Sequence, residues 1–289
     1  MTTTTRSRRR RRRGLFRSSL RWQRTRIGLV LVLGLVTIAL IGPLIAPYGP
    51  GDFVANPNSP PGPGYPFGTD RLGQDVLSRF LHGGIEILLL AGISSLLGVA
   101  SGTAIGLTAA YVRGKVDEVL MRAMDLILAF PQILLALLVI AMAGPSFWLI
   151  VLTVAVTTMP RVARVIRGAA VPVVERDFVS AAEAIGESRT RVVLSELLPN
   201  VTGPLLVELN LRLTYSIGLI ASLAFIGFAP NPNAPNWGLM VDENRLALTV
   251  SPWGVVLPVT AIALLTIGFG LVADGLARTA AGIERARDE

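Results

Sequence analysis

The 289-residue sequence contains no cysteine, one histidine (His82) and, among its 27 basic residues, one lysine (Lys115). The missing cysteine excludes disulfides, thiolate metal sites and cysteine nucleophiles. One histidine argues against a histidine-based metal centre. Lys115 is the one possible anchor of a GxxxxGK[ST] phosphate loop, and the preceding AAYVRG does not fit that pattern. The sequence therefore predicts no metal, no cofactor and no ATP site on this chain.

Charge is also scarce. Charged residues make up 16% of the chain, hydrophobic residues 52%, and the mean hydropathy is +0.59. Soluble domains carry about 25% charged residues. Several uncharged stretches approach the ~20 residues that a helix needs to cross a bilayer. The composition therefore predicts an all-α integral membrane protein.

Hydropathy predicts six spans, at about residues 27–46, 85–111, 126–144, 147–166, 203–228 and 253–272. The second span is rich in glycine, which lets neighbouring helices approach closely. The third carries Pro131 near its start. The fourth has only 14 residues before Arg161, so its arginines must extend toward the headgroups.

The distribution of basic residues supports these six spans. With an inner N-terminus, segments 1–26, 112–122, 161–191 and 278–289 hold 23 of the 27 basic residues. Cytoplasmic loops carry such an excess of Lys and Arg. The sequence thus predicts a basic N-terminal tail (1–26), a six-span domain (27–277) and a C-terminal tail (278–289), with both termini cytoplasmic.

The N-terminal tail contains eleven arginines and no acidic residue. The apolar run that follows ends at PYGP without a small-residue cleavage pattern, so a retained first span is favoured over a signal peptide. An arm that binds nucleic acid is the alternative. We favour a tail that fixes orientation and contacts anionic lipid, and we predict no nucleic-acid partner.

The segments predicted to lie outside, 48–67 and 229–238, are rich in proline, glycine and asparagine. Between the first of them and the second span, GTDRLGQDVLSRFLHGG predicts a short helix capped by Thr69 or Asp70. Asp70 and Asp75 alone make a poor metal site. His82 and Glu86 are interpreted as solvated residues at the mouth, with a proton relay as the alternative.

The inner segment 173–200 predicts two amphipathic helices joined at Gly186, which can adopt the left-handed geometry that ends a helix. The first helix carries a small apolar face beside acidic side chains; the second is predicted over about Ser188 to Leu198, ending at Pro199. Two such helices would form a compact projection on the cytoplasmic face, here called the knob. Such a projection suits docking into a groove of another protein. An amphipathic connection lying on the bilayer explains the pattern equally well.

This segment, AAEAIGESRTRVVLSELLPN, resembles the cytoplasmic signature of bacterial ABC-importer permease subunits. Ala181, Ala182, Gly186, Leu198 and Pro199 match that signature, while Ser180 replaces its usual glutamate. Other stretches resemble the dipeptide/oligopeptide/nickel branch of these permeases: FGTDRLGQDVLSR (67–79), AAYVRGKVDEVLMRAMDLILAFP (109–131), RVARVIRGAAVPVVERDFVSAA (161–182) and LAFIGFAPNPNAPNWG (223–238). Ile220 and Ala224 depart from the branch pattern.

The resemblance implies a type I importer fold in the bacterial plasma membrane, and a non-catalytic subunit for peptides or similar small solutes. It implies three kinds of partner: a second homologous permease forming a heterodimer, two ATPases that hold ATP and Mg, and an extracytoplasmic solute-binding protein. It also implies that the knob couples to the ATPases. The coupling residues would be Asp177, Phe178, Ser180, Ala181, Ala182, Glu183, Ile185, Gly186, Leu198 and Pro199.

Glu208 and Arg212 lie four residues apart in the fifth span, on one helix face, where an ion pair lowers the cost of burying either charge. They are interpreted as a structural pair, with a pathway lining as the alternative. A rival hypothesis for the whole chain is a proton-coupled secondary carrier that uses these two residues. Such carriers commonly show inverted repeats and broken helices, which the sequence does not reveal.

Overall fold

The computed structural model describes residues 19–20 and 22–280. Within them the chain is helical, and no strand forms beyond three isolated bridges in segment 53–75. The helices are α1 (Gln23–Ile45), α2 (Val76–Val112), α3 (Gly114–Leu128), α4 (Gln132–Ala143), α5 (Phe147–Val174), α6 (Asp177–Ala184), α7 (Arg189–Arg191, Val192–Leu197 and Leu198–Asn200 in succession), α8 (Thr202–Phe225), α9 (Trp237–Asn244) and α10 (Trp253–Ala280). The predicted lipid-contacting tail falls almost entirely outside the described residues, as does most of the C-terminal tail.

Five helices are long and apolar enough to cross a membrane: α1, α2, α5, α8 and α10. They correspond to the first, second, fourth, fifth and sixth predicted spans. The helix α5 has 28 residues and is about 42 Å long, so the weak fourth span is in fact part of a long helix that continues beyond Arg161.

The third predicted span is not one continuous helix. The helices α3 and α4 meet at an 81° bend across residues 129–131. Pro131 is extended, with φ −56° and ψ 127°, because proline lacks the N–H of a helix interior and disfavours helical geometry in the residue before it. The 12 residues of α4 reach about 18 Å, less than the ~30 Å hydrocarbon core. The described part of the chain therefore contains five candidate spans, or six if the bent pair crosses as one.

The helix α2 also differs from its prediction, because the short helix expected before the second span is continuous with it. Its N-cap is Asp75 rather than Thr69 or Asp70. The Asp75 carboxylate accepts hydrogen bonds from the Ser78 amide at 2.8 Å and the Ser78 hydroxyl at 2.6 Å. Such a cap satisfies a backbone donor that has no partner within the helix.

Glycines bring α2 directly against α5, as the small-residue pattern predicts. A methyl group added at Gly102 would lie 2.6 Å from the Met159 carbonyl oxygen, and one at Gly106 would lie 2.5 Å from the Ala163 oxygen. Backbones can pack this closely only where no side chain intervenes. The helix α2 therefore forms the centre of the bundle, with α5 against one side and α1 and α8 against others.

The outer cap, residues 48–75 and 229–252, covers the end of the bundle that the sequence analysis assigns to the outside. Trp237 is fully buried, donates from Nε1 to the Phe80 carbonyl at 2.9 Å, and stacks on the Phe80 ring with centroids 5.4 Å apart. Asn236 donates to Glu86 Oε2 at 2.8 Å. His82 contacts the Ser78 carbonyl instead, at 2.8 Å. Glu86 and His82 are thus half-buried packing residues, whereas the sequence suggested solvated ones.

A buried arginine holds the outer cap together. Arg79 lies between the carboxylates of Asp70 and Glu243, 2.8 Å from Glu243 Oε2, and its side chain is 3% exposed. Asp70 also accepts from the amides of Leu72 and Gln74 at 2.8 and 2.9 Å. This ion triad connects the first outer segment to α2 and to α9, whose Glu243 is 173 positions from Asp70 in the sequence.

Candidate functional site

The predicted knob is present as two helices, α6 and α7, that meet at Gly186. Gly186 has φ +83°. Its amide donates to the Glu183 carbonyl at 3.0 Å, and the Glu187 amide donates to the Ala182 carbonyl at 3.1 Å. These two bonds form a Schellman motif, which requires a left-handed residue at the position of Gly186. The predicted turn is therefore confirmed, with its geometric reason.

The second helix of the knob is longer than predicted. It runs through Pro199 to Asn200, and residues 192–197 form a π-helical turn. Pro199 cannot donate to the Ser195 carbonyl, and its ring crowds that oxygen. The wider π turn immediately before Pro199 accommodates this crowding, so the chain stays helical where the sequence suggested an end.

The base of the knob is anchored in the transmembrane bundle. Val179 of α6 and Val192 and Leu197 of α7 are at most 1% exposed, and they share one apolar cluster with Leu107 of α2 and Ala170 of α5. This anchoring was not anticipated. The sequence signal was present, because Val179 is the larger of the two apolar residues of α6, Val179 and Ala184, that do not belong to the predicted docking face.

Two polar contacts reinforce this anchor. The Tyr111 hydroxyl at the end of α2 donates to Glu183 Oε1 at 2.7 Å. Just beyond α2, Arg113 pairs with Glu175 at 3.1 Å. The knob is therefore held against the ends of α2 and α5.

The other side of the knob is open. Ile185 is 79% exposed and Phe178 is 37% exposed. A groove of about 330 Å³ lies between α6 and α7, lined by Phe178, Ala181, Ala182, Ile185, Glu187, Val192, Ser195 and Glu196. Of the predicted coupling residues, seven are exposed: Asp177, Phe178, Ser180, Ala181, Glu183, Ile185 and Gly186. Ala182, Leu198 and Pro199 are half-buried beneath them. An apolar, small-residue face on a rigid base can receive another protein.

Glu208 and Arg212 form the predicted ion pair. Arg212 Nε lies 3.1 Å from Glu208 Oε2, both side chains are 7% exposed, and the guanidinium lies 5.2 Å from the centre of the Tyr215 ring. One turn further on, Ser216 bonds to Ser95 of α2 at 3.0 Å. The pair thus belongs to the buried face of α8.

Arg212→Met is expected to destabilise the purified protein by about 2 kcal/mol, because the Glu208 carboxyl group would remain buried without its partner. The double variant Glu208→Leu/Arg212→Met should recover most of that loss, since no unpaired polar group remains. Thermal unfolding in detergent measures both. Additive effects of Glu208→Leu and Arg212→Met would show that the two side chains are not coupled.

The fold is that of an ABC-transporter membrane subunit. A chain of the MetNI methionine ABC transporter, solved in inward-facing conformations, superposes with a TM-score of 0.55 at 17% identity, covering 71% of this chain and 96% of that one. A chain of an amino acid ABC transporter gives 0.52 at 19% identity, covering 69% and 93%. Residues 102–280 match the family described as binding-protein-dependent transport system inner membrane component. The chain belongs to this family.

Curated relatives agree over most of the length. The glutathione transport system permease protein GsiD of Shigella dysenteriae serotype 1 (strain Sd197) is 36% identical over 86% of this chain and 82% of its own. The dipeptide transport system permease protein DppC of Alkalihalophilus pseudofirmus is 31% identical over 86% and 83%. The chain is therefore a permease subunit of an ABC importer. A proton-coupled carrier finds no support among these relatives.

Proposed function

We propose that this permease forms half of a pathway for short peptides, together with a second homologous permease. Support comes from the relatives, whose names describe permeases of glutathione and dipeptide transport systems. Two ATPases holding ATP and Mg would supply the energy, and an extracytoplasmic solute-binding protein would deliver the peptide. The observation that carries the proposal is the knob, because its exposed apolar groove and buried base are what an energy-transmitting contact requires.

In this proposal the ATPases bind the face formed by Phe178, Ala181 and Ile185. Their closure displaces the knob, and the buried residues Val179, Val192 and Leu197 convey the displacement to α2, α5 and α8. Well-packed helices move as rigid bodies rather than deforming continuously. Transport would therefore consist of helix reorientation around the pathway, without chemistry on this chain.

The proposal is tested by reconstituting the complete transporter in liposomes with labelled dipeptide or glutathione. Uptake should require internal ATP, the solute-binding protein and the ATPases, and it should persist when a protonophore abolishes the proton gradient. Uptake by this chain alone, driven by a proton gradient, would contradict the proposal.

We further propose that the chain lies in the bacterial plasma membrane with both termini cytoplasmic and with its arginine tail on anionic lipid. The positive charge of the predicted inner segments supports this orientation. Because the chain lacks cysteine, Asn233→Cys and Ser188→Cys each introduce a single thiol at an exposed position. An impermeant maleimide applied to intact cells should label Asn233→Cys and not Ser188→Cys. Labelling of both after permeabilisation is the control, and the reverse pattern would contradict the orientation.

A further inference from the structure

A groove lies on the side of the bundle, separate from the knob's own groove. It has a volume of about 640 Å³ and lies between α2, α7 and α8. Its walls are Leu, Val and Ala side chains, among them Leu96 and Ala104 of α2, Leu194 of α7 and Leu206 of α8. We name it the lateral groove.

The charged group of the lateral groove lies at one end, whereas the other polar lining residues on α2, Thr103 and Thr108, lie along its wall. Arg189 and Thr190, at the start of α7, and Tyr111, at the end of α2, line that end. Arg189 is exposed, and it makes no salt bridge within residues 22–280. The nearby acidic side chains are engaged elsewhere, because Glu183 accepts from Tyr111 and Glu187 pairs with Arg191 at 2.9 Å.

The lateral groove is long enough to hold the acyl chain of a lipid in one leaflet. From Leu96 to Tyr111 the helix α2 rises by about 22 Å, whereas one leaflet of hydrocarbon is about 15 Å thick. In the proposed orientation its arginine lies at the cytoplasmic surface, where anionic headgroups are found. A long apolar slot that ends in a cation at this depth matches an acyl chain with a negatively charged head.

We propose that the lateral groove binds an anionic phospholipid of the inner leaflet, with an acyl chain along α2 and the phosphate at Arg189. Thr108 supports an apolar occupant, since its hydroxyl donates to the Ala104 carbonyl at 2.7 Å and leaves its methyl group for packing. This site differs from the arginine tail, because it holds one lipid in a shaped slot. This lipid site rests on the proposed function for the orientation of the chain in the membrane, and it does not depend on which solute is transported.

The test uses the complete transporter, washed in mixed micelles of phosphatidylglycerol and phosphatidylcholine and analysed for retained lipid by mass spectrometry. The wild type should retain phosphatidylglycerol in excess over phosphatidylcholine. Arg189→Ala should lower retained phosphatidylglycerol about fivefold, the effect of one basic residue at a membrane surface. Ala104→Trp should lower it by filling the slot. Val30→Trp, an exposed position on α1, is the matched control and should retain the wild-type amount.

A photoreactive benzoylphenylalanine in place of Leu194, which is 57% exposed in the lateral groove, identifies the occupant directly. A phospholipid adduct is expected. An adduct to the second permease would overturn the proposal, because the groove would then be a subunit interface. Equal retention of the two lipids by the wild type, or unchanged retention in both groove variants, would overturn it as well. Glycerol phosphate in excess should not displace the lipid, since the acyl chain contributes to binding.

Discussion

Replacing Ala181 with arginine is expected to lower ATP-dependent uptake at least about tenfold while leaving the protein folded. Ala181 is exposed on the groove of the knob, so a charge there would be forced into the proposed contact with an ATPase. An unpaired charge in a closed protein contact costs several kcal/mol, and 1.4 kcal/mol already corresponds to a tenfold change in binding. Ala181 is a cleaner probe than Ala182, because Ala182 is half-buried and packs toward the base of the knob.

The matched control is Ala184→Arg, on the same helix and exposed but outside the groove lining. It should retain uptake close to the wild type. ATPase copurification and peptide-stimulated ATP hydrolysis should fall together with uptake in Ala181→Arg. Wild-type uptake and full ATPase binding in that variant would show that the knob is a surface connection, as the bilayer-lying alternative holds.

Substitutions at Gly186 test the same contact between the knob and an ATPase independently, because they act through the backbone conformation of the turn. A methyl group at this position would meet no atom within 4 Å, but φ is +83°. Gly186→Val should therefore disturb the turn through conformation alone, and Gly186→Asn should restore much of the activity, since asparagine tolerates left-handed geometry. Equal loss with Val and Asn would mean that a side chain at this position obstructs a partner.

The second large effect is expected at Arg79. Arg79→Met should destabilise the protein by about 3–5 kcal/mol, because Asp70 and Glu243 would be left as two buried carboxylates without their common cation. Thermal unfolding in detergent measures the loss. Arg71→Met is the control, since Arg71 pairs with the same Glu243 at 3.4 Å but is 53% exposed. Exposed pairs contribute about 0–1 kcal/mol.

Similar losses in the two variants would contradict the role of burial in this triad. A reduction in unfolding temperature confined to Arg79→Met would instead establish that the triad holds the outer cap on the bundle. The distinction is useful for this chain, because both arginines lie among the few basic residues outside the predicted inner segments.

Several predictions from the sequence hold because they depend on neighbours along the chain. The turn at Gly186 needs only a residue without a side chain between two helices. The pair of Glu208 and Arg212 follows from their spacing of one helical turn. The close approach of α2 to α5 follows from glycines on one face of α2. The family assignment rests on motifs that keep their order along the chain.

The differences between the sequence predictions and the structure concern where helices begin, bend and end. The third predicted span is bent at Pro131. Hydropathy did not reveal this bend, because a hydropathy window averages over the proline and carries no information on backbone geometry. The second helix of the knob, α7, continues past Pro199 because the wider π turn before it makes room for the proline ring near the Ser195 carbonyl oxygen. The cap of α2 is Asp75 because Asp70 is occupied by Arg79 and by two amides of its own loop.

The sequence by itself determined that this is a helical integral membrane protein, since hydropathy and charge are additive and need no coordinates, and its motifs carried the resemblance to the permease family. Only the tertiary structure decided which side chains meet. Arg79 reaches Glu243 across 164 positions of sequence, and the knob rests on α2 and α5 through Val179. The lateral groove exists because α2, α7 and α8 leave a gap between residues 96–112, 189–198 and 205–209. Such contacts depend on how whole helices pack, and packing is fixed by the simultaneous fit of many distant residues.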